Sequence, residues 1–157
     1  MLRLESARLF FYPIDNEEIE NLIRDEKDPA LKQAYSEMLQ GCLREPENRI
    51  WFAPWLMELK SQPGVVVGDF GFKGTNPDGM VEIGYGLREG FCGNGYMTET
   101  VKVIAQWALR QHGVARVEAE TEAENASSQK VLAACGFVPT GTVGEEGPRF
   151  VLRKPEE

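Results

Sequence analysis

The sequence predicts a mixed α/β fold in one domain, and three observations support this prediction. A chain of 157 residues is about the length of one domain and can bury a core without disulfide bonds. Its content of 42% hydrophobic and 27% charged residues is typical of a soluble globular protein. Short apolar runs alternate with amphipathic segments, and no linker, repeat or low-complexity tract separates them. The predicted order of elements is β-α-α-β-β-β-α-β-α-β-β.

The first part of the chain predicts a strand followed by two helices. Residues 8–12 form an apolar run that Pro13 closes, which is typical of a strand. Asp15 is a capping residue for a helix over residues 15–24. Pro29 suits the first turn of a second helix, which ends near residue 43.

Three strands are predicted next. Two β-rich runs, residues 50–60 and 65–73, are joined by a Ser-Gln-Pro-Gly turn. Pro54 indicates an edge position or a bulge in the first of these runs. An Asn-Pro-Asp-Gly turn then leads into a strand over residues 80–87.

The remaining elements are two helices and three strands. A helix over residues 96–112 ends at Gly113, which is suited to the position after a helix. It is followed by a strand over residues 115–121, a helix from about 125 to 135, and strands over residues 137–142 and 149–153.

A glycine-rich turn joins the strand over residues 80–87 to the helix that begins at Tyr96. Gly90, Gly93 and Gly95 allow the backbone to curl and to approach a ligand closely. The free N–H groups of the turn and the positive end of the helix dipole lie at the same place. The turn therefore predicts an anion site, for which phosphate is the usual ligand, with a plain strand-to-helix connection as the alternative.

The turn does not match either common nucleotide-binding motif. Thr98 stands where the dinucleotide motif has its third glycine or alanine, and no acidic strand end follows at the right distance. Gly-Lys-Ser/Thr does not occur in the chain, so a P-loop is excluded. The chain therefore lacks the motifs of a nucleotide-binding domain.

The charge distribution indicates the kind of partner. The net charge of −8 argues against nucleic acid, whose binding needs a basic face, and is compatible with a cationic partner. Acids crowd residues 15–28, and Glu145 and Glu146 lie in a late loop. Such acids are more commonly part of a solvated surface, and attraction of a cationic ligand is the alternative.

Neither a membrane segment nor a metal site is expected. No apolar run approaches membrane-spanning length, and an acid stands where a signal peptide would need apolar residues, so a cytoplasmic location is expected. The three cysteines have no paired spacing, which predicts reduced thiols. With His112 as the one histidine and no Cys-x-x-Cys motif, the chain predicts no protein-built metal site.

Four motifs at matching separations support a family resemblance. They are Glu82-Ile-Gly-Tyr, Gly93-Asn-Gly-Tyr-Met-Thr-Glu, Asn125-Ala-Ser-Ser and Cys135-Gly-Phe. With these motifs the chain resembles the GNAT superfamily of acetyl-CoA-dependent N-acetyltransferases, in particular the branch that acetylates ribosomal-protein N-termini. The resemblance implies the GNAT acyl-CoA N-acyltransferase fold, a central mixed, mostly antiparallel sheet of about seven strands flanked by about four helices. It also implies acetyl-CoA as a co-substrate without a metal, and allows for a homodimer.

The resemblance implies which residues bind acetyl-CoA. In the family, the backbone amides of the glycine turn bind the pyrophosphate, and the pantetheine arm pairs with a strand edge exposed where two strands separate. Two polar side chains on a helix reach coenzyme A from the other side. The matching positions are Cys92, Gly93, Asn94, Gly95, Tyr96, Met97 and Thr98 for the pyrophosphate, Tyr85, Gly86 and Leu87 for the arm, and Asn125 and Ser128 on the helix.

Some of these positions also suit a purely structural role or depart from the family pattern. Asn125 is suited to cap a helix, and Ser128 to be a solvated hydroxyl. Cys92 and Met97 replace residues that are common in the family turn. Because the phosphate contacts are made by the main chain, we expect weakened rather than lost binding.

Direct acyl transfer to an amine requires a base, and a carboxylate in a partly buried site is suited to this role. Glu82 is the first candidate, because a carboxylate in a central strand is costly unless it has a function or a partner such as Arg116. Glu120 is the second candidate, although Glu118 and Glu122 share its face and indicate an exposed acidic stripe. Leu132 replaces the tyrosine that protonates the departing thiolate in many family members.

The resemblance thus implies an acetyl-CoA-dependent N-acetyltransferase. The acceptor would be a primary amine, either a peptide or protein N-terminus or a small cationic molecule. A non-catalytic acyl-CoA-binding or sensor module of the same fold is the alternative, because Leu132, Cys92 and Met97 depart from the family pattern.

Overall fold

A mixed eight-stranded sheet forms the centre of the structure, a computed structural model that describes residues 2–155. The predicted domain limits, residues 1–157, reach beyond the described residues at both ends. The strands are β1 (Leu4–Glu5), β2 (Leu9–Pro13), β3 (Trp55–Leu59), β4 (Val66–Phe72), β5 (Met80–Leu87), β6 (Arg116–Glu120), β7 (Val138–Val143) and β8 (Pro148–Arg153). The helices are α1 (Asn16–Asp25), α2 (Pro29–Arg44), α3 (Tyr96–Leu109) and α4 (Ala126–Ala134), with a 3₁₀ helix at Pro46–Trp51.

The strand order is β1-β2-β3-β4-β5-β6-β8-β7. All neighbours are antiparallel except β5 and β6, which run parallel. The prediction of a mixed, mostly antiparallel sheet is therefore confirmed. The structure has one strand more than the predicted seven. This additional strand is β1, whose two residues pair with Phe10 and Phe11 of β2.

Local sequence signals place the helix starts correctly. The side chain of Asp15 accepts a hydrogen bond from the backbone N–H of Glu18, whose own side chain accepts from the Asp15 N–H, so a capping box begins α1. Pro29 stands in the first turn of α2, after the capping side chain of Asp28. Asn125 caps α4 by accepting from the N–H of Ser128.

The run over residues 50–60 differs from its prediction as one strand. It holds the end of the 3₁₀ helix, an irregular corner and then β3. Pro54 comes directly before β3, so it marks neither an edge nor a bulge, and its carbonyl accepts from the N–H of Ile14. The register shift in this strand lies between Met57 and Glu58, and β3 is interior to the sheet.

Both faces of the sheet are covered by packed side chains. The larger core lies on the face of α3, where Trp55, Phe72 and Trp107 form a cluster of aromatic rings with centroids 5.3–5.9 Å apart. A smaller core on the opposite face holds Ile19 of α1 and Cys42 of α2. Within the described residues, no helix combines the length and the apolar character needed to cross a membrane.

Candidate functional site

The parallel strands β5 and β6 separate before β5 ends. Their pairing runs from Met80 opposite Arg116 to Ile83 opposite Ala119, and β5 then continues to Leu87 without this partner. The N–H of Lys73 donates to the carbonyl of Glu82, and the N–H of Arg88 donates to Val67. Since hydrogen-bonding direction alternates along a strand, the even-numbered residues of β5 bond to β4.

This alternation decides which main-chain groups face the gap beside β5. Tyr85 and Leu87 direct their N–H and C=O groups toward the gap, whereas Gly86 pairs with Asp69 of β4. A side chain at Gly86 would meet nothing within 4 Å. Gly86 therefore contributes space beside the gap, and the main-chain groups available to a ligand there belong to its two neighbours.

The glycine turn ends at the N-terminus of α3. Gly90, Gly93 and Gly95 have φ angles of 90°, 82° and 79°, a region that residues with a Cβ rarely adopt. Gly95 is the N-cap of α3. Within residues 2–155, the backbone N–H groups of residues 95–98 donate no hydrogen bond, so they are available to an anion.

The side chains of the turn differ in exposure. Cys92 and Asn94 are exposed, and Tyr96 is half-buried. Met97 is buried in the larger core, so its side chain leaves the turn free. The departure of Met97 from the family pattern therefore lies in the core rather than against a ligand.

Arg8, in the bend between β1 and β2, holds the glycine turn, a role that the sequence did not reveal. Its Nη2 donates to the carbonyl of Asn94 at 2.9 Å, its Nε donates to Glu99 at 2.8 Å, and its guanidinium lies 4.5 Å from the ring centroid of Tyr96. Partial burial acts to raise the pKa of Glu99, but hydrogen bonds from Ser6 and Arg8 hold this pKa below its usual value. Arg8 thus neutralises an acid in the first turn of α3.

Helix α4 closes the other side of the gap. The Tyr85 hydroxyl and Ser128 Oγ are 2.8 Å apart and share a hydrogen bond, so Ser128 is not merely a solvated hydroxyl. Asn125 accepts from the N–H of Ser128 at 3.0 Å, as its capping role requires. Burial raises the pKa of Tyr85, and the hydrogen bond with Ser128 opposes this only in part. Leu132 is fully buried.

Glu82 lies in an ion-pair network on the sheet face that carries α1 and α2. Its carboxylate contacts Lys73 Nζ at 2.9 Å and Arg149 Nη2 at 3.2 Å. The expected alternative partner, Arg116, is not the partner: it pairs with Asp78 and Glu118, each at 2.8 Å. Glu82 comes from an interior strand, so two cations offset the cost of burying its charge.

Glu118 and Glu120 belong to the same network, so the predicted exposed acidic stripe is wrong for these two residues, whereas Glu122 is exposed. Their side chains are only 13% and 11% exposed, and both accept from Arg149. Burial acts to raise the pKa of Glu118, but hydrogen bonds from Arg116 and Arg149 lower it overall. The pKa of Glu120 is also lowered. Burial acts to raise this pKa, but hydrogen bonds from the backbone N–H of Glu146 and from Arg149 outweigh the effect of burial.

A cavity of about 630 Å³ lies between the helices α1 and α2 and the strands β4 and β5. Its floor includes Gly71 and Gly84, which pair across the two strands, and the gap residues Tyr85 and Leu87 also line it. The apolar wall comes from the helices: Leu22, Leu31, Ala34 and Met38. The charged lining residues are Asp25, Glu26, Asp69, Glu89 and Glu146, with Lys73 and Arg88.

Only part of the acidic segment at residues 15–28 contributes to this cavity. Asp25 and Glu26 line it, whereas Asp15 caps α1. Glu146 is the lining residue from the late loop. Five carboxylates against two cations leave the lining acidic, which favours a cationic occupant.

Asp69 is a half-buried acid of the cavity, and no sequence pattern singled it out. Its Oδ2 accepts a hydrogen bond of 2.5 Å from the Tyr35 hydroxyl of α2. Burial raises the pKa of Asp69, and the hydrogen bond from Tyr35 opposes this only in part. The available signal was a single charged residue in the otherwise uncharged run of β4.

Thiols and possible metal ligands are scattered. The three cysteines are free, with Cys92 exposed and Cys42 buried. Among residues 2–155, no three His, Cys, Asp or Glu side chains lie together so as to hold a metal ion.

Comparisons with known proteins give the same fold and a family. Residues 4–138 match the family model described as an acetyltransferase (GNAT) domain. The chain is 36% identical over 89 residues to the uncharacterized N-acetyltransferase YjdG of Bacillus subtilis (strain 168), a match that covers 55% of this chain and 52% of YjdG. The chain thus spans about half the length of the curated relatives it matches.

Solved structures share the fold at low identity. The ribosomal L7/L12 alpha-N-protein acetyltransferase RimL, in complex with coenzyme A, has a TM-score of 0.74 and 16% identity, over 97% of this chain and 98% of RimL. A mutant of the spermidine N-acetyltransferase SpeG of Vibrio cholerae has a TM-score of 0.70 and 12% identity, over 94% of each chain. With the family model matching most of its length, the chain belongs to the GNAT acetyltransferase family.

Proposed function

We propose that this protein is an acetyl-CoA-dependent N-acetyltransferase that transfers an acetyl group to a primary amine. The observation that supports this most directly is the open edge of β5. The strand leads through the glycine turn to the free N–H groups at the start of α3, and its residues Tyr85 and Leu87 line the acidic cavity. A thioester laid along this edge would present its carbonyl to an amine in the cavity.

The proposed cofactor contacts follow the predicted positions with one refinement. The amides of residues 92–98 would bind the pyrophosphate, and the main chains of Tyr85 and Leu87 would pair with the pantetheine amides. Gly86 would leave room for the arm, because its own N–H and C=O face β4. Asn125 and Ser128 would contact coenzyme A from α4.

The proposed reaction is direct attack of a neutral amine on the thioester carbonyl. A base must first take the ammonium proton, because an ammonium group has no free electron pair. Glu82 and Glu120 remain candidates for this base, although both are ion-paired. The lowered pKa of Glu120 makes it a weaker proton acceptor. The leaving thiolate, with a reference pKa near 8.5, can take its proton from water.

The proposed acceptor is cationic, either a peptide or protein N-terminus or a small amine. The acidic lining of the cavity supports this class. RimL is described as acting on a ribosomal protein and SpeG on spermidine, so the shared fold accommodates both kinds of acceptor. A cytoplasmic location, and a homodimer of the kind frequent in the family, belong to the same proposal.

A non-catalytic acyl-CoA-binding module is the second candidate. It is favoured by Leu132, a fully buried side chain at the position where many family members have a tyrosine that protonates the thiolate. Such a module would bind coenzyme A but release no thiol.

Thiol release from acetyl-CoA over a panel of amines tests both candidates. The panel contains N-terminal peptides, polyamines, aminoglycosides and amino acids, and each rate is compared with hydrolysis in the absence of amine. Release with one class of amine is expected, and it would identify the acceptor class. Coenzyme A binding without release would favour the non-catalytic module, and a protein that binds neither acetyl-CoA nor coenzyme A would contradict both.

A further inference from the structure

Asp69 lies on the floor of the acidic cavity, next to the proposed path of the thioester. It stands directly opposite Gly86 in the antiparallel pairing of β4 and β5, and directly opposite residues in such a pair share a face of the sheet. Asp69 and Gly86 line the same cavity as Tyr85 and Leu87. The carboxyl group of Asp69 therefore lines the cavity next to the strand at whose edge the thioester would lie.

One oxygen of Asp69 is held and the other is open. Oδ2 accepts from Tyr35, and within residues 2–155 no other hydrogen bond reaches this carboxyl group. The described part of the chain also contains no fully buried side-chain oxygen or nitrogen without a partner. Oδ1 is therefore accessible from the cavity and can accept a hydrogen bond from a ligand.

The charges around Asp69 differ from those around Glu82 and Glu120. The groups that face Asp69 are the hydroxyl of Tyr35 on α2, Glu26 at the end of α1 and Arg88 after β5. No salt bridge within residues 2–155 includes Asp69, whereas Glu82 contacts two cations. A carboxylate without a bound cation is free to receive one from the substrate.

We propose that Asp69, positioned by Tyr35, receives the ammonium group of the acceptor and removes its proton. This inference rests on the proposed acetyl-transfer function and places its base on β4 rather than at Glu82 or Glu120. Burial raises the pKa of Asp69, so its carboxylate is a stronger proton acceptor than an ordinary aspartate.

The proposed step balances. The carboxylate of Asp69 takes one proton from the R–NH₃⁺ group and becomes a carboxylic acid, which leaves R–NH₂. The nitrogen lone pair forms a bond to the thioester carbonyl carbon, and the C–S bond then breaks with its electron pair on sulfur. The nitrogen loses a second proton as the thiolate gains one, which gives the amide and coenzyme A thiol. Asp69 returns its proton to water.

Kinetics of Asp69→Asn test the assignment once an accepted amine is known. We expect kcat/KM to fall by about 100-fold or more, the usual contribution of a general base, with the affinity for coenzyme A unchanged. Glu20→Gln, which removes an exposed carboxylate of α1 outside the cavity, should keep wild-type kinetics. Wild-type kcat/KM in Asp69→Asn, with loss of activity in Glu82→Gln or Glu120→Gln, would overturn the proposal.

The Tyr35→Phe variant distinguishes a catalytic role of Asp69 from a purely structural one. The Tyr35 hydroxyl donates to the ionised carboxylate, so its loss should raise the pKa of Asp69 further. The acid limb of the kcat/KM profile should therefore move to higher pH, because Asp69 must be ionised to act. An unchanged acid limb would contradict the proposal.

A binding measurement distinguishes failure of this inference from failure of the proposed function. Titration calorimetry of the coenzyme A-loaded protein compares hexylamine with hexanol, which has the same chain without the charge. We expect the wild type to prefer the amine and Asp69→Asn to lose this preference, even if no panel amine is acetylated. Absence of thiol release from the wild type would count against the proposed function alone, whereas equal amine preference in both proteins would count against the role of Asp69.

Discussion

Arg8 shows how a single side chain supports the proposed pyrophosphate site. It contacts the carbonyl of Asn94 and the carboxylate of Glu99. We expect Arg8→Gln to weaken coenzyme A binding by about tenfold, since a charge near a helix N-terminus contributes about 1 kcal/mol and Glu99 would be left to repel the phosphates. The measurement is the dissociation constant by calorimetry at low ionic strength.

Arg3 provides the matched control for Arg8. It is also exposed and also lies over an aromatic ring, with its guanidinium 4.1 Å from the centroid of Phe10. Among the described residues, it makes no hydrogen bond or ion pair with the glycine turn. Arg3→Gln removes the same charge and should leave coenzyme A affinity near that of the wild type. Equal weakening by the two substitutions would show that overall charge matters and that the contacts of Arg8 with the turn do not.

Single residues of the site were predictable only where local sequence determines their role. The glycines of the turn and the cap Asn125 were visible because backbone conformation and capping depend on near neighbours. Arg8 and Asp69 were missed because their partners, Glu99 and Tyr35, are 91 and 34 residues away in the chain. The fold alone brings these pairs together.

Substitutions in the element formed by β5, the glycine turn and α3 can distinguish the effect of backbone strain on stability from an effect on ligand binding. Gly95 and Gly113 have φ angles of 79° and 82°, so alanine at either position should destabilise the protein by about 1–2 kcal/mol. Gly95 lies at the start of α3, whose N–H groups would bind the pyrophosphate, whereas Gly113 lies beyond its other end. Only Gly95→Ala should therefore also weaken coenzyme A binding.

Urea denaturation and calorimetry of the two alanine variants check this pair. Neither new Cβ causes a severe clash, since the nearest atom to one at Gly95 is Arg8 Nη2 at 3.5 Å and nothing lies within 4 Å at Gly113. Loss of affinity in both variants would indicate general loosening of α3. Full affinity in Gly95→Ala would remove the turn from the proposed phosphate site.

Whole elements were predicted well where capping, turn and periodicity signals agree. The bounds of β5 match the prediction, and Asp15 and Pro29 begin their helices as expected. The strand β1 was missed because two residues carry no periodicity and are ordered by pairing with β2. The 3₁₀ helix was missed because its apolar residues resemble the start of a strand, and tertiary packing decides between the two.

At the scale of the whole molecule, Arg149 of β8 joins strands that are distant in the chain. It contacts Glu82 of β5 and both Glu118 and Glu120 of β6, and Lys73, directly after β4, contacts Glu82 in turn. The lowered pKa values of Glu118 and Glu120 mean that the folded protein favours their ionised forms. This contribution to stability is present above their unfolded pKa of about 4.3 and is lost as the pH falls through the folded values.

Replacing Arg149 should therefore destabilise the protein in a pH-dependent manner. Arg149→Met leaves partly buried carboxylates without their cation, a change that costs about 3–5 kcal/mol in comparable buried pairs. We expect the deficit in the free energy of unfolding, measured by urea denaturation, to be largest at neutral pH. It should shrink at pH values below about 4, where the carboxylates of both proteins become protonated.

Arg44→Met is the control, because Arg44 is 65% exposed and lies 4.0 Å from Glu45, and surface pairs contribute at most about 1 kcal/mol. A deficit in Arg149→Met that stays constant with pH would mean that packing of the side chain, rather than its charge, stabilises the sheet.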